Sequence, residues 1–300
     1  MNVQSDVAKM QRYTMELREQ FKQNGYAIAR GLFSPAEAAF HREHFMQLRQ
    51  ADHYASDLVN QWDDGERDPL KQYPRMFNMH HWDDISRRWL LDERIRHCMV
   101  AMLDREPYAI QTMLYFKPPG ARGQALHQDQ YYLRARPGTS IAAWMALDPT
   151  DEANGCLQIV PQTQGLPLIC PEQADESESF TTIAVPLPPR MQPIPMRLEA
   201  GDVLFFNGQI IHGSFPNTTT DRFRRSLVGH YIEGHARQVA AFDLPVLRMD
   251  GTVVEEMGAS PDGGECGIWI DKDGRHLVDV NQLYEAAGLL ETSVLNRGER

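Results

Sequence analysis

The sequence is short of the features that mark several whole classes of protein. Only four cysteines, Cys98, Cys156, Cys170 and Cys266, occur in 300 residues, and none forms a Cys-x-x-Cys pair. A zinc ribbon, a thioredoxin-type centre and a disulfide-dense scaffold therefore have no support. No apolar run approaches the roughly 18 residues that suggest a membrane helix. The polar stretch from Met1 to Gln20 lacks the apolar core of a signal peptide. Positive charge is in deficit: 30 Lys and Arg against 41 Asp and Glu leave a net charge of −11. Binding to nucleic acid or to an anionic membrane needs clustered cations, so neither partner is expected. No segment repeats at a fixed period. These absences predict a soluble, cytoplasmic protein with reduced thiols.

What is present is ordinary for a globular chain, with 42% hydrophobic and 24% charged residues. Such a length buries a sizeable core without staples. Met10, Tyr13, Leu17 and Phe21 recur at helical spacing, and Asn24-Gly25 ends that helix. Tyr26 to Ala29 reads as a short strand. Ser34-Pro35-Ala36-Glu37 carries a cap, a proline at the first helical position and a capping-box glutamate, predicting a helix to about Gln50. Residues 51–88 read as loops and short helix, and Ile85 to Leu103 as helix with Trp89, Leu90, Ile95, Met99 and Leu103 on one stripe.

From about Ala109 the texture changes to short β-rich runs punctuated by Pro, Gly and Asn. Predicted strands are Ile110–Phe116, Leu126–Leu133, Ile141–Leu147, Leu157–Val160, Met196–Leu198, Val203–Phe206 and Ser226–Ile232. This spacing suggests a sandwich or barrel. The stretch 171–195 holds six prolines and an acidic run, which marks it, with 51–82, as a candidate lid. A turn at Asp262-Gly263-Gly264 and a helix around Asn281–Leu290 are expected in the tail.

His127-Gln128-Asp129 is the first chemically suggestive feature. On a strand, His127 and Asp129 would face one side and could bind one metal, although a single His-x-Asp arises readily by chance. His212 follows the apolar run Val203–Phe206 and its turn. A third ligand from there would complete a two-His, one-carboxylate facial site, the arrangement suited to non-haem Fe(II) oxygen chemistry. Taken alone, His212 reads more readily as a hydrogen-bonded structural histidine. Arg224 and Arg225 open the last strand, and an arginine pointing into a barrel there needs an anion. His80-His81-Trp82 reads more readily as packing or substrate contact than as a second metal site. Arg134 and Arg136 could read an anionic group or be solvated.

Taken in order, the segments 111–119, Leu126-His127-Gln128-Asp129, Trp144–Leu147, Asn154–Leu157 and His212-Gly213-Ser214 through Asn217 to Arg224 resemble the phytanoyl-CoA dioxygenase family of Fe(II)/2-oxoglutarate oxygenases. So do Phe21 to Tyr26 and Gly31 to Ser34, so that the likeness spans roughly residues 17–232. The resemblance implies a mainly β fold with flanking helices, built on a double-stranded β-helix (jelly-roll, cupin-like) core. The expected layout is a single domain with N-terminal helices over about 1–105, the jelly-roll over about 106–235 and an extension over about 236–300. It implies His127, Asp129 and His212 as iron ligands, Arg224 and Ser214 as anchors of the 2-oxoglutarate carboxylate, and Met113 and Trp144 as walls of its pocket. Asn78, Trp62, Tyr131 and Tyr132 are substrate-pocket candidates.

Two departures from the family pattern stand out. The stretch from His212 to Arg224 is one residue longer, at Thr218-Thr219-Thr220, which leaves Arg225 as an alternative anchor, although parity with Tyr231 favours Arg224. Val160 to Gly165 replaces the common Pro-Gly-Ser-His. The carboxylate at Asp129, rather than a small residue, points to hydroxylation rather than halogenation. The implied activity is hydroxylation of an unactivated C–H bond of a small molecule with O2, releasing succinate and CO2. Desaturation, epimerisation or cyclisation at the same iron, or a non-catalytic jelly-roll binding protein, are the alternatives. Substrate identity is open, as is formation of a homo-oligomer.

Overall fold

The structure is a computed structural model, and it describes residues 3–51, 69–260 and Cys266. In chain order its elements begin with α1 (Val3–Asn24), β1 (Tyr26–Ala29), α2 (Pro35–Gln50), α3 (Pro69–Gln72) and β2 (Met76–Phe77). Next come α4 (Asp84–Leu90), α5 (Glu93–Leu103), β3 (Pro107–Tyr115), β4 (Gln124–His127), α6 (Gln130–Leu133), β5 (Ser140–Ala146) and β6 (Leu157–Ile159). They are followed by β7 (Glu172–Gln173), β8 (Ile183–Ala184), β9 (Ile194–Pro195), β10 (Val203–Asn207), β11 (His212–Ser214) and β12 (Ser226–Glu233). The last three are β13 (Gln238–Val239), β14 (Leu247–Arg248) and β15 (Gly258–Ala259).

The local signals at the N-terminus act as their chemistry dictates. Gly25 ends α1 at φ +78°, a left-handed conformation that costs glycine nothing, and its N–H donates to the Phe21 carbonyl at 2.8 Å. Ser34 and Glu37 form the full capping box of α2, each side chain accepting from the other's backbone N–H. The predicted helix over 85–103 is instead two helices. Asp92 interrupts it, because its carboxylate caps α5 by accepting from Arg94 N–H at 2.8 Å.

A larger sheet runs in the order β1-β10-β5-β12-β3-β14, with β2 also on β3, and a smaller one runs β4-β11-β6-β9. All these pairs are antiparallel. Alternation divides the large sheet's residues between two cores. Ile141, Ala143 and Met145 of β5, Val203 and Phe205 of β10, and Leu227 and Tyr231 of β12 pack with Leu17, Phe45, Leu90, Ile95 and Met99 of the helices. Ala142, Trp144, Leu204, Phe206, Met113 and Val228 face the other way, onto Leu157 and Ile159 of the small sheet. The result is three layers, helices on a large sheet on a small sheet, and the jelly-roll is the two-sheet part. Being covered on both faces, β5 is buried throughout and reads as a continuous apolar run. Both flanking regions donate strands to the large sheet, β1 at one edge and β14 at the other.

Three expectations are corrected. The predicted strand Leu126–Leu133 stops at His127, and the chain then turns into α6. Gln128 drives this departure: its buried side chain donates to the carbonyls of Pro167 and Gln209 and accepts from Ile169 N–H, tying loops together instead of continuing a sheet. The predicted strand Met196–Leu198 is displaced to β9, leaving Leu198 in an isolated bridge with Thr150. Cys170 and Cys266 are joined in a disulfide rather than reduced, and only Cys98 and Cys156 are free thiols. Their Cα atoms lie 4.8 Å apart across 96 residues of sequence, a proximity that spacing alone cannot reveal. Among the described residues no helix is long and apolar enough to cross a membrane. Trp62, the turn at 262–264 and the helix expected around 281–290 lie outside the described residues.

Candidate metal and 2-oxo-acid site

Between the sheets lies a cavity of about 770 Å³. On its wall His127 ends β4 and His212 begins β11, and the two strands place them directly opposite each other. The rings are 4.2 Å apart. Asp129 arrives from the turn after β4, in helical backbone conformation, so it meets His127 through a turn rather than through strand alternation. Its Oδ1 lies 3.5 Å from His127 Nε2 and 3.6 Å from His212 Nε2. Taken together, one ligand atom from each of the three residues lies within 4.8 Å of the others.

The donor set fits a divalent metal. Each imidazole turns Nδ1 to a backbone carbonyl, His127 to Ala125 at 2.9 Å and His212 to Ile210 at 3.1 Å. An Nδ1–H donated there leaves the Nε2 lone pair aimed at the cavity, the tautomer a metal requires. The Gln124 side-chain amide lies 3.2 Å from His127 Nε2, consistent with a free lone pair there. Burial, with His127 as the next cause, pushes His212 down to about 4, so it is a neutral imidazole at neutral pH, able to act as a ligand. Burial alone would raise the Asp129 carboxyl. The adjacent His212 and hydrogen bonds from His127 and His230 outweigh it and hold the group well below the usual carboxylate range.

His230 was not singled out from the sequence. Its Nε2 lies 3.4 Å from Asp129 Oδ2, the oxygen turned away from the two ligand histidines, and thereby holds the carboxylate's orientation. The available signal was parity, since Arg224, Ser226, Val228 and His230 alternate along the segment that forms β12.

Arg224 lies 2% exposed at the same cavity, with no carboxylate partner among the described residues. Its Nε donates to the Gly155 carbonyl and its Nη1 to Ser226 Oγ, both at 2.9 Å, and its guanidinium carbon sits 5.4 Å from the Trp144 ring centroid. Burial lowers it to about 10, so it remains a cation at neutral pH. A buried, incompletely paired guanidinium suits a carboxylate. Arg225 points to the other side and pairs bidentately with Asp148, at 2.7 and 2.9 Å. The extra residue of the 212–224 segment is absorbed in a loop closed by Asn217, whose amide donates to the carbonyls of Lys117 and Arg222.

Lys117 is a further residue missed from the sequence. Fully buried, its ammonium donates to Ser214 Oγ at 2.8 Å and to the Phe215 carbonyl. Burial, then the neighbouring Arg224, holds it well below the ordinary lysine range. Ser214 thus sits behind the cavity wall, with its own hydroxyl proton still to donate. Gly155, at φ +86°, makes room for this arrangement, because a Cβ there would lie 2.7 Å from Lys117 Cδ.

Met113 and Trp144 line the cavity, as do Asn78 and Tyr132. Tyr131 does not; it faces a small cleft against Ile183, Ala184 and Val185. Arg134 and Arg136 are also outside the lining. His80 hydrogen-bonds Thr112 through Nδ1 at 3.0 Å and stacks on His81, with His81 alone of the pair reaching the cavity. Both candidate lids contribute: Arg75, Phe77, Asn78, His81 and Trp82 from one, Thr181 from the other.

Comparison with known proteins agrees with this geometry. A peroxisomal phytanoyl-CoA dioxygenase of Bos taurus is 25% identical over 240 residues, covering 75% of this chain and 70% of that protein. Phytanoyl-CoA dioxygenase 1 of Oryza sativa subsp. japonica is 26% identical over 140 residues, so the match spans 46% of this chain and half of that protein's length. Among solved structures, the epimerase SnoN in complex with Fe3+, alpha ketoglutarate and nogalamycin RO superposes with a TM-score of 0.57 at 21% identity, covering 77% of this chain and 86% of that one. That likeness establishes the shared fold. The phytanoyl-CoA dioxygenase (PhyH) family pattern matches residues 21–226, a span that includes every residue of the His-Asp-His cluster and Arg224. The jelly-roll, the metal-ligand cluster and that match lead to one assignment: this chain belongs to the phytanoyl-CoA dioxygenase family.

Proposed function

We propose that the protein is an Fe(II)/2-oxoglutarate-dependent oxygenase that hydroxylates an unactivated C–H bond of a small organic substrate. The observation that carries this reading is the convergence of His127, Asp129 and His212 on the wall of one cavity with the uncompensated Arg224. His127, Asp129 and His212 would hold the iron. Arg224 would take the far carboxylate of 2-oxoglutarate, while Ser214, expected as a second anchor, would brace that end from behind the wall through Lys117. When bound, iron and the 2-oxo acid supply O2-dependent oxidation of a C–H bond, with succinate and CO2 as co-products.

The chain's own residues perform three tasks. The carbonyls of Ala125 and Ile210 orient both histidines, and His230 orients Asp129, so the ligand set is formed before metal arrives. Met113, Trp144, Leu157, Phe206 and Val228 supply apolar walls that exclude water from the reacting region. Lys117 and Gly155 hold the anchoring end rigid. The cavity's size and the net charge of −11 favour a small molecule over nucleic acid or a membrane surface.

The test is anaerobic. Metal-free protein receives Fe(II) and then 2-oxoglutarate, and the visible charge-transfer band of the chelate is recorded. The wild type is expected to develop the band only with both additions. Asp129→Ala should lose it and Arg224→Ala should weaken it. Iron binding without a band would overturn the 2-oxoglutarate reading. A candidate substrate is then scored by succinate release and by product mass, where a gain of one oxygen distinguishes hydroxylation from desaturation or epimerisation.

A further inference from the structure

The cavity holds a second cation that the proposed reaction does not use. The charged side chains on its lining, apart from histidines, are Asp129, Arg224 and Arg75. Loaded as proposed, the two charges of Fe(II) are offset by the 2-oxoglutarate dianion, and Asp129 offsets Arg224. Arg75 remains in surplus.

Its surroundings suit recognition better than support. Arg75 is half-buried and lies just ahead of β2. Its guanidinium carbon sits 5.2 Å from the Phe77 ring centroid, 5.6 Å from that of Tyr115 and 5.0 Å from that of Phe180. Among the described residues it has no carboxylate, carbonyl or hydroxyl partner. Contacts with three rings stabilise the charge and restrict the side chain, but they satisfy none of its N–H donors. A guanidinium held in this way presents a preorganised fork for a carboxylate or phosphoryl oxygen pair. Arg224 contacts the same Tyr115 ring at 6.0 Å, so the two guanidinium carbons are within about 12 Å of each other. The anchor proposed for the co-substrate and the Arg75 guanidinium thus share the Tyr115 ring and line the same cavity, together with Tyr132.

We infer that Arg75 is a specificity-determining residue that binds an oxyanion of the substrate, so that the substrates are small organic acids with a carboxylate or phosphoryl group. This rests on the Fe(II)/2-oxoglutarate reading for the chemistry, but its recognition step is measured separately. Phe180 belongs to the 171–195 insertion, so anion binding at Arg75 also engages that segment.

The test uses the full chain, anaerobic, with Fe(II) and saturating 2-oxoglutarate. The probes are ω-phenylalkanoates of graded chain length, their primary amides and the matching ω-phenylalkyl phosphates. Binding is read from tryptophan fluorescence, since Trp82 and Trp144 line the cavity, and the chelate band is recorded in parallel. The wild type should prefer an acid or a phosphate over the amide of equal length by about tenfold or more, the worth of one charge-assisted pair. Which anion binds more tightly identifies the group. Arg75→Gln should reduce the preference to within about twofold while retaining the chelate band, and Arg75→Lys should restore part of it. No preference in the wild type, whether all probes bind equally or none binds, overturns the inference. A chelate band lost in Arg75→Gln also overturns it, because Arg75 would then serve 2-oxoglutarate. A wild type without the band but with an intact, Arg75-dependent preference would remove the oxygenase reading and leave the anion site standing.

Discussion

The two ends of the cavity are built differently. At the inner end, His212 and Arg224 are 4% and 2% exposed, and every group is held by another: carbonyls on both histidines, His230 on Asp129, and Gly155 and Ser226 on Arg224. At the outer end, Arg75 packs on three rings with no oxygen partner among the described residues, Tyr132 is 38% exposed and Trp82 is 43% exposed. The inner residues sit on or beside paired strands, and the outer ones sit on connecting segments or the short helix α6. A constellation that must hold a metal and a 2-oxo acid in fixed relation needs preorganisation. A substrate pocket needs only a shaped wall, and loops can vary it without disturbing the sheets.

This contrast can be broken most sharply at the adjacent arginines. Arg224→Ala should weaken 2-oxoglutarate binding by roughly 100-fold, from the loss of about 3 kcal/mol of charge-assisted hydrogen bonding, as read by titrating the chelate band. Arg225→Ala should leave that titration unchanged and instead lower stability in chemical denaturation by about 3 kcal/mol, because Asp148 loses its bidentate partner in a mostly buried position. Equal effects of the two would erase the distinction between cavity and support.

Gly155→Ala sharpens the account of the inner end. Its Cβ would lie 2.7 Å from Lys117 Cδ and 2.8 Å from the Phe215 carbonyl oxygen, at a φ of +86°. A loss of roughly 1–3 kcal/mol in stability is expected, together with weaker 2-oxoglutarate binding and unchanged iron affinity. Unchanged 2-oxoglutarate affinity would show that Lys117 and Arg224 do not depend on this backbone position.

Behind the outer wall, Asp243 accepts from Gln111 Nε2 at 2.9 Å and is fully buried, and its second oxygen has no partner among the described residues. Burial pushes its carboxyl up to about 8. The unfolded chain releases this proton near pH 4, so between about pH 4 and pH 8 the folded state binds more protons and stability falls as pH rises. Asp243→Asn removes that slope. The melting temperature of the variant should therefore gain on the wild type steadily from pH 5 to about pH 8, and a constant difference would contradict the assignment. The smallest effect is expected far from both ends. Ser34→Ala should cost about 1 kcal/mol through the lost cap and leave iron, 2-oxoglutarate and probe binding untouched.

The parts of this picture legible in the sequence are those encoded within one segment. The Ser34–Glu37 capping box, the Gly25 stop and the continuous apolar run from Ile141 to Ala146 depend on neighbours in the chain. The iron-ligand candidates were legible because their residue types and order matched a family pattern. The reason first offered for pairing His127 with Asp129, a shared strand face, does not hold, since a turn brings them together. His230, Lys117 and Arg75 stayed hidden for a common reason. A histidine in an apolar strand, a lysine before two prolines and an arginine after a proline are each unremarkable until a distant partner is known: Asp129, Ser214 and Phe180.

By itself the sequence determined the mainly β class with helices ahead of it, the helix caps, and the residue types able to bind iron and an anion. Periodicity and local hydrogen bonding act over a few residues, and they leave their mark on composition and order. The tertiary structure alone decided which side of the sheets Arg224 and Arg225 face, that Cys170 meets Cys266, that Asp129 enters from a turn, and that a second cation stands among three aromatic rings at the cavity. Those outcomes depend on strand register and on contacts between segments tens of residues apart, where burial and charge balance are set by the assembled whole.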